Sequence, residues 1–515
     1  MICRFLISAV LIFCYLAGIS QGGFTKNYVL TNSYSSVCTD VIEAPNGNLI
    51  MTGITYDMSL NAYVLTVIGT DSIGNQLWRK NYGNSKFQYL DNILNIRTIL
   101  RTNNFFYSYS GVRDTSNRDF SVLTKCNFAG DTIWQKHFKD NADPLYINDV
   151  SLSMDNGFLI TGYIESTGRF AILIKTDANG TELWRKKIMS SAPNVQEGRR
   201  VLQDSATKKI IMAGYQAIGN SGAYEYYNTI WVMDSLGNLL QTHTVPSACG
   251  GIFMDMVQTR DGKFVAVGNI KPCVTFAGYS WSKSFVFKFD INTLSLGSTW
   301  ERQIDTVALY NYFTTINELP DGNLIVSGAL DTTYFLNLGL KPMVRLIKLD
   351  KNGNTIWRKL YGRGALQENS RRPKSLNLTR DGGFIMANEL LLANNPRPYT
   401  ITKIDSTGCD STEAYCRYVS PVITTTVISE YNFKIYPNPS SGILSIELDN
   451  ISLENKEDID IELTDMLGKR AYTINIPPQP LLQINLQGLT SGVYILKVYS
   501  STHKIYQGKL VKINP

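Results

Sequence analysis

The sequence predicts an all-β repeat architecture with a small β appendage, on three observations. A turn of the form Asp-x-x-Gly recurs at Asp71–Gly74, Asp177–Gly180, Asp234–Gly237, Asp350–Gly353 and Asp405–Gly408, with variants at Asn127–Gly130 and Asp290–Thr293. Four residues after the turn stands a tryptophan in most copies: Trp78, Trp134, Trp184 and Trp357, with Trp300 displaced and Gln241 substituting. Earlier in each unit a second turn opens a strand, as at Asn46-Gly47, Asn156-Gly157, Asp261-Gly262, Asp321-Gly322 and Asp381-Gly382; Asn-Gly and Asp-Gly are strong hairpin signals because Asn and Gly tolerate positive φ.

These marks divide the chain into units of about 50 to 60 residues, each with four short strands. In one unit the strands are read at 146–153, 158–162, 170–176 and 183–188. Four-stranded units at this period bury their faces on their neighbours in a ring, so the expected fold is a seven-bladed β-propeller over residues 21–412. The last unit lacks a fourth strand, since no Trp-x-Lys follows Gly408. Phe24-Thr25-Lys26-Asn27-Tyr28 matches Trp78-Arg79-Lys80-Asn81-Tyr82 in register, so the strand at 23–29 is expected to close the last blade. Closure of this kind leaves no free end to cap.

Composition bounds the rest. The 515 residues are 44% hydrophobic, 11% aromatic and 18% charged, which excludes a disordered chain, and 39 Gly without a Gly-X-Y period exclude collagen. A net charge of +6 is no case for nucleic acid at this length, and three His against 29 Tyr argue against chemistry built on several histidines. Arg4 precedes an apolar run, Phe5 to Leu16, and the small residues Ala17, Gly18 and Ser20. Residues 1–20 therefore read as a secretory signal peptide, cut after Ser20; Phe13 before Cys14 argues against lipidation, and no transmembrane segment is expected. An exported chain can keep disulfides, and the expected pairs are Cys249 with Cys273 and Cys409 with Cys416, whereas Cys38 and Cys126 read as buried strand residues.

The Asp-x-x-Gly turns lack the alternating oxygen ligands and distal Glu of a calcium loop, so no metal and no cofactor is expected there. The tryptophans read as blade-docking residues. Arg185-Lys186-Lys187 and Arg358-Lys359 fall on outermost strands, where charge discourages edge-to-edge association, and Arg371-Arg372-Pro373-Lys374 is read as an inter-blade anion candidate. No nucleophile elbow, His-x-x-x-His, Cys-x-x-Cys or phosphate-cradling loop occurs, so no catalytic residue is assigned. The long loops between second and third strands share one face. They carry Tyr224, Tyr226 and Tyr227, then Phe276, Tyr279 and Trp281, then Tyr334 and Phe335, the ligand-binding candidates. Tyr and Trp there suit stacking on a sugar or a peptide surface.

Residues 413–430 are Ser/Thr/Pro/Val-rich and read as an extended linker. Residues 431–515 then show short alternating strands, expected to form a small immunoglobulin-like β-sandwich. The Tyr436-Pro437-Asn438-Pro439 … Gly442 start, the Asp465-Met466-Leu467-Gly468-Lys469 turn, the Leu489-Thr490-Ser491-Gly492-Val493-Tyr494 segment and the closing Lys509-Leu510-Val511-Lys512 together resemble the type A C-terminal sorting domain of the type IX secretion system. The resemblance implies export across the outer membrane of a Gram-negative bacterium. It also implies the secretion machinery and its sortase as partners, removal of this domain, and release or attachment to a surface lipopolysaccharide. The propeller units resemble blades of quinoprotein-type propellers. Their Asp-to-Gly spacing is one residue shorter and no adjacent cysteine pair is present, so that resemblance implies fold and not quinone chemistry. The expected function is a secreted or surface-attached propeller that binds a glycan, peptide or protein through its variable-loop face. The alternative is a polysaccharide-degrading or quinone-dependent enzyme with its site in the central channel.

Overall fold

The computed structural model describes residues 23–513, apart from 31–32, 84–86, 91–96, 141–142, 189–194, 219–224, 246–249, 271–274, 277–278, 281, 295–297, 309–310, 331–342, 362–369, 392–396, 410–431, 450–458, 466–469, 478, 480 and 501–503. The chain separates into two compact units, dividing between residues 422 and 423. Both are all-β.

The N-terminal unit repeats one antiparallel meander. Its first sheet runs Ser33–Glu43, Leu49–Asp57, Ala62–Thr70 and Gln76–Tyr82, each strand pairing with the next. The same order recurs over residues 145–187, 195–244, 251–308 and 311–361, with one parallel pair, Arg169 with Val195, joining the first two of these. The 87–138 sheet differs in that its first strand is broken: Phe87–Tyr89 and Ile99–Arg101 both pair with Phe106–Asp114. In the last sheet Ser370–Leu378, Phe384–Leu391 and Tyr399–Ile404 are followed in space by Phe24–Tyr28, which lies antiparallel to Tyr399–Ile404 with Phe24 opposite Lys403 and Tyr28 opposite Tyr399.

Burial explains why the middle strands read as apolar runs and the last strands do not. Phe158–Glu165 is buried at every position but its last, whereas Glu182–Lys187 is exposed or half-buried throughout. A strand covered on both faces has no polar side to alternate with. Successive sheets accordingly share apolar clusters. Leu65, Val67, Phe106 and Phe120 join the first sheet to the second, and Tyr109, Leu123, Ile147 and Phe158 join the second to the third. Leu173, Val201 and Trp231 form the next cluster, followed by Ile230, Phe253 and Phe287. Val267, Phe313 and Ile347 come after these, then Leu346, Leu376 and Phe384. Cys38, Met51 and Ile68 then pack against Ile385, Tyr399 and Ile401, so the succession returns from the last sheet to the first.

A second contact ties every last strand but Leu239–Thr244 to the following sheet. Trp78 lies against Gly130, Trp134 against Gly180, Trp184 against Gly237, Trp300 against Gly353 and Trp357 against Gly408; a β-carbon on those glycines would come within 2.6–2.8 Å of the ring. Phe24 takes the same place against Gly74. Two residues on, a lysine reaches the residue after the glycine: Lys26 to Asn75 at 2.7 Å, Lys80 to Asp131 at 2.5 Å, Lys186 to Asn238 at 3.4 Å. Two residues further, the hydroxyls of Tyr28, Tyr82 and Tyr361 donate to the carbonyls of Gly74, Gly130 and Gly408. Lys26, Lys80 and Lys186 of these last strands therefore also tie neighbouring sheets together. Arg185 likewise bonds Glu182 at 2.7 Å and the Lys139 carbonyl at 3.0 Å. The expected anion candidate at 371–374 also resolves differently: the segment lies within a strand, and buried Lys374 pairs with Glu389 at 3.2 Å.

The C-terminal unit has two antiparallel sheets. One orders Asn432–Tyr436, Ile443–Asp449 and Leu481–Asn485; the other orders Arg470–Ile476, Ile459–Asp465, Gly492–Ser500 and Lys504–Lys512. Leu444, Ile446, Ile461, Leu463, Leu482, Ile484, Leu496 and Leu510 form its core, contributed by both sheets. No helix among the described residues is long and apolar enough to cross a membrane.

Candidate functional site

The first strands of the sheets meet one another through a repeated irregularity. Each unbroken first strand carries a β-bulge, at Thr39, Asn148, Arg199, Met254, Thr314 and Lys374. A bulge re-aims the residue that follows it. The following residues are Asp40, Asp149, Arg200, Asp255, Thr315 and Ser375, and most of them join a network with Arg97 of the broken strand. Arg97 Nη2 lies 2.8 Å from Asp255 Oδ2 and 3.0 Å from the Ile316 carbonyl. Arg200 Nη1 reaches both Asp149 oxygens at 2.7 and 2.8 Å, and its Nε is 3.2 Å from Asp255 Oδ1.

Each carboxylate in this network also accepts backbone N–H groups of the next sheet. Asp40 Oδ2 takes those of Thr98 and Ile99, both at 3.0 Å; Asp149 takes Val201 and Asp255 takes Ile316, both at 2.9 Å. Asn377 closes the set by donating to Asp40 Oδ1 at 3.0 Å and to the Val41 carbonyl at 2.8 Å. Burial pushes the Asp40 carboxyl above the usual carboxylate range, against the opposing hydrogen bonds from the Ile99 and Thr98 backbone. For Arg97 burial works against the charge, and Asp255 more than compensates, so the guanidinium is held charged. The space left among Arg97, Asn148, Asp149, Arg200 and Asp255 is about 10 Å³, room for about one water molecule. Carboxylates thus converge, but their oxygens are spent on holding sheets together.

Toward the start of the same strands lies a second polar cluster. Glu197, buried, accepts from Arg199 at 2.9 Å, Arg169 at 3.1 Å, Asn148 Nδ2 at 2.9 Å and the Tyr215 hydroxyl at 2.5 Å. Arg169 covers the Tyr163 ring at 4.4 Å, and Tyr163 stacks on Tyr146 at 4.8 Å. Burial pushes the Tyr163 hydroxyl up to about 12.

Of the aromatic residues expected on the variable loops, Tyr226 and Tyr227 lie within the strand Glu225–Met233, opposite Ala217 and Gln216. Tyr226 meets Tyr215 edge-on at 5.4 Å, which connects it to the Glu197 cluster. Phe276 and Tyr279 are backbone partners in a two-stranded hairpin, Thr275–Phe276 with Tyr279–Ser280. Tyr224, Trp281, Tyr334 and Phe335 lie outside the described residues, as do Cys249, Cys273, Cys416, the signal segment and the 413–430 linker. Cys38 and Cys126 are buried in strands. The Asp-x-x-Gly aspartates are occupied by their own turns: Asp71 Oδ1 accepts the Ile73 and Asn75 N–H groups at 3.1 and 2.7 Å, and Asp177, Asp234, Asp350 and Asp405 repeat the pattern. Sequence reading missed the bulge network, although a signal exists: a polar residue recurs just before an apolar pair, as in Asp40-Val41-Ile42, Arg200-Val201-Leu202 and Asp255-Met256-Val257.

In the C-terminal unit the first and last motifs meet. Asn438 Oδ1 accepts from the Val511 N–H at 2.9 Å, Ser440 N–H donates to the Val511 carbonyl at 2.8 Å, and Ile513 N–H donates to the Ser440 carbonyl at 2.9 Å. Lys512, buried, donates to the Ser441 and Ile513 carbonyls at 3.1 and 2.7 Å. Gly442 accepts through its carbonyl from Leu486 N–H at 2.8 Å, and the Tyr494 hydroxyl donates to the Thr490 carbonyl at 2.8 Å where Gly492 begins its strand. Tyr436, Pro437 and Pro439 are exposed; Gly468 and the Lys509 side chain lie outside what is described.

Comparison with known proteins agrees with this C-terminal geometry. Residues 434–513 match the family described as the secretion system C-terminal sorting domain. A curated relative, the ulvan lyase NLR42 of Nonlabens ulvanivorans, is 32% identical over 77 residues, and the chain covers only 14% of that protein's length. Among solved structures, the β-propeller domain of the Trilobed protease from Pyrococcus furiosus is similar at a TM-score of 0.40 and 10% identity, covering 73% of this chain and 94% of that one. The BP39L lectin from Burkholderia pseudomallei is similar at a TM-score of 0.43 and 8% identity, covering 74% and 98%. Residues 434–513 are a type IX secretion-system C-terminal sorting domain, and the chain that carries it is exported to the cell surface or the extracellular space.

Proposed function

We propose that the chain is a secreted or surface-attached seven-bladed β-propeller that binds a glycan, peptide or protein through the face bearing its long loops. Residues 1–20 are its signal peptide, 21–412 its propeller, 413–430 a linker and 431–515 the sorting module, a small immunoglobulin-like β-sandwich removed at the surface before the protein is released or attached there. The ring is supported by the succession of apolar clusters that returns to the first sheet, and by Phe24 standing where the other sheets use tryptophan.

The observation that carries binding over a channel enzyme is the Arg97–Asp255–Arg200–Asp149 network. It leaves about 10 Å³ among these side chains and commits each carboxylate to a cation and a backbone N–H. A general acid or nucleophile needs an accessible lone pair or proton beside a substrate, and these groups have neither space nor free oxygens. Recognition then falls to the long loops, whose sequence-derived candidates are Tyr224, Tyr226, Tyr227, Phe276, Tyr279, Trp281, Tyr334 and Phe335. Glycan and peptide arrays probed with the mature protein test this: Tyr226→Ala and Trp281→Ala should each weaken the signal at least fivefold. Binding unchanged in both variants would refute the face, and turnover of an arrayed glycan would restore the enzyme reading.

A further inference from the structure

A cavity of about 240 Å³ opens between the first sheet and the 87–138 sheet. Its floor is Tyr89, Val112, Phe120 and Val122, all buried, its wall is Phe87, and its rim is exposed Gln135 and His137. It coincides with the broken first strand. Phe87–Tyr89 pairs with Val112–Asp114 while Ile99–Arg101 pairs with Phe106–Ser108, and the break sets the Phe87–Tyr89 piece apart beside the cavity.

The lining selects a ligand class. Phe87 meets Phe120 edge-on at 5.8 Å and His137 edge-on at 5.8 Å, so aromatic faces and edges surround the space. Among the described lining residues there is no carboxylate, ammonium or guanidinium, and the neighbouring Lys139 ammonium is already held over the Phe120 ring at 4.2 Å. The rim's polar atoms largely satisfy one another: Gln135 Nε2 donates to Thr124 at 3.1 Å and Gln135 Oε1 lies 3.2 Å from His137 Nε2. The Tyr82 hydroxyl is likewise committed, to the Gly130 carbonyl, so the groups that remain, chiefly the Thr132 and Tyr89 hydroxyls, suit one polar substituent on an aromatic ring better than the many hydroxyls of a sugar. An apolar cavity of about 150 Å³ already accepts benzene. We infer that this cavity is a binding site for an uncharged aromatic ring bearing one hydroxyl or N–H group, of the phenol or indole kind. Burial, with Lys139 nearby, pushes the His137 imidazole below its ordinary value, consistent with a neutral rim at pH 7.

Histidine is rare enough to serve as the reporter, with three in the chain. The mature full-length protein, isotope-labelled at histidine, is titrated by NMR with phenol, indole, N-acetyltyrosine amide, glucose and benzoate, and the His137 resonance is assigned by its loss in His137→Gln. Phenol and indole should move it saturably and leave His243 unmoved, while glucose and benzoate move neither. N-acetyltyrosine amide separates a ring carried on a peptide, which shifts His137 too, from a small free molecule, which alone does so; both support the site. Val122→Phe fills the floor and should weaken phenol binding at least tenfold. Should that variant fail to fold, Gln135→Trp covers the exposed mouth and should do the same. Absence of a saturable shift with phenol and indole, equal response to glucose or benzoate, or full binding in the folded filling variant overturns the inference.

Discussion

The ring of Trp78 lies so close to Gly130 of the following sheet that a β-carbon there would sit 2.6 Å from it. Gly130 is also held at φ +80°, so the position excludes other residues twice over. Gly130→Ala should cost about 1–2 kcal/mol for the left-handed backbone alone, with more for displacing the ring. Denaturant unfolding of the N-terminal unit reads this. The two costs separate in Trp78→Ala/Gly130→Ala, which should relieve the clash and leave the backbone cost.

The one place where the latch is missing makes the pairing testable in reverse. Gln241 stands where tryptophan is expected, and the turn it would face ends in Thr293 instead of glycine. Gln241→Trp alone should not stabilise, because Thr293 blocks the ring's seat. Combined with Thr293→Gly it should, with a coupling of about 1 kcal/mol or more between the two positions. Additive behaviour in the double-mutant cycle would refute the latch.

Phe24 sits in the tryptophan seat of the last sheet, against Gly74, with Tyr28 donating to the Gly74 carbonyl at 2.7 Å. Phe24→Trp should be neutral or stabilising. Phe24→Ala should cost about 1–3 kcal/mol, less than a fully buried Phe→Ala because the ring is half-buried. Limited proteolysis near the N-terminus should accelerate in the second variant and not in the first.

Much of this was legible in the sequence because it rests on residues with narrow conformational demands. Asp-x-x-Gly, Asn-Gly and Trp-x-Lys recur since positive φ and a flat ring admit few substitutes, so period, strand order and the Phe24–Tyr28 correspondence can be read directly. The network around Arg97 and Asp255 leaves only a weak mark, a polar residue before an apolar pair, which does not by itself name its partners. A β-bulge has no residue preference of its own, and the position after it is Asp, Arg, Thr or Ser in different sheets. Their partners are backbone N–H groups and residues up to 337 positions away, as for Asp40 and Asn377. The second-sheet cavity was hidden for a related reason: it arises where a strand breaks, an interruption that periodicity does not register.

That network predicts a large single-site effect. Asp255→Asn removes the charge shared by Arg97 and Arg200, both mostly buried, and weakens the cap on the Ile316 N–H. Breaking a buried pair from one side costs about 3–5 kcal/mol. Asp255→Asn with Arg97→Met should recover part of it. A loss in the single variant comparable to a surface substitution would show that the network does not hold the sheets.

Four turns repeat another pair, a nearly buried third-strand lysine on the aspartate of the second turn: Lys175–Asp155 at 2.8 Å, Lys288–Asp261 at 2.7 Å, Lys348–Asp321 at 3.0 Å and Lys403–Asp381 at 2.7 Å. For each carboxyl burial opposes ionisation, and the lysine and local hydrogen bonds override it, bringing Asp155 down to about 2 and lowering the other three. A depressed native pKa means the unfolded chain binds more protons, so stability is present above the ordinary carboxylate range and is lost as pH falls toward 2. The melting temperature should therefore fall steeply below about pH 4. Replacing all four aspartates by Asn should lower stability at pH 7 and flatten that acid limb; an unchanged limb would place acid sensitivity elsewhere.

Export rests on a module whose ends are clamped together. Asn438 and Ser440 bond Val511, and Lys512 is buried with its ammonium on the Ser441 and Ile513 carbonyls. Ending the chain before Tyr431 removes the module and should strand the protein in the periplasm, with the propeller intact by proteolysis. Removing only residues 509–515 should have the same effect, because the first motif then loses its partner strand. Lys512→Met keeps the stem but leaves both carbonyls without their donor, and should reduce surface or extracellular protein severalfold while the isolated module melts at lower temperature. Normal surface display of the protein truncated before Tyr431 would refute the sorting role. Normal display of the 509–515 deletion alone would show that recognition does not require the clamp.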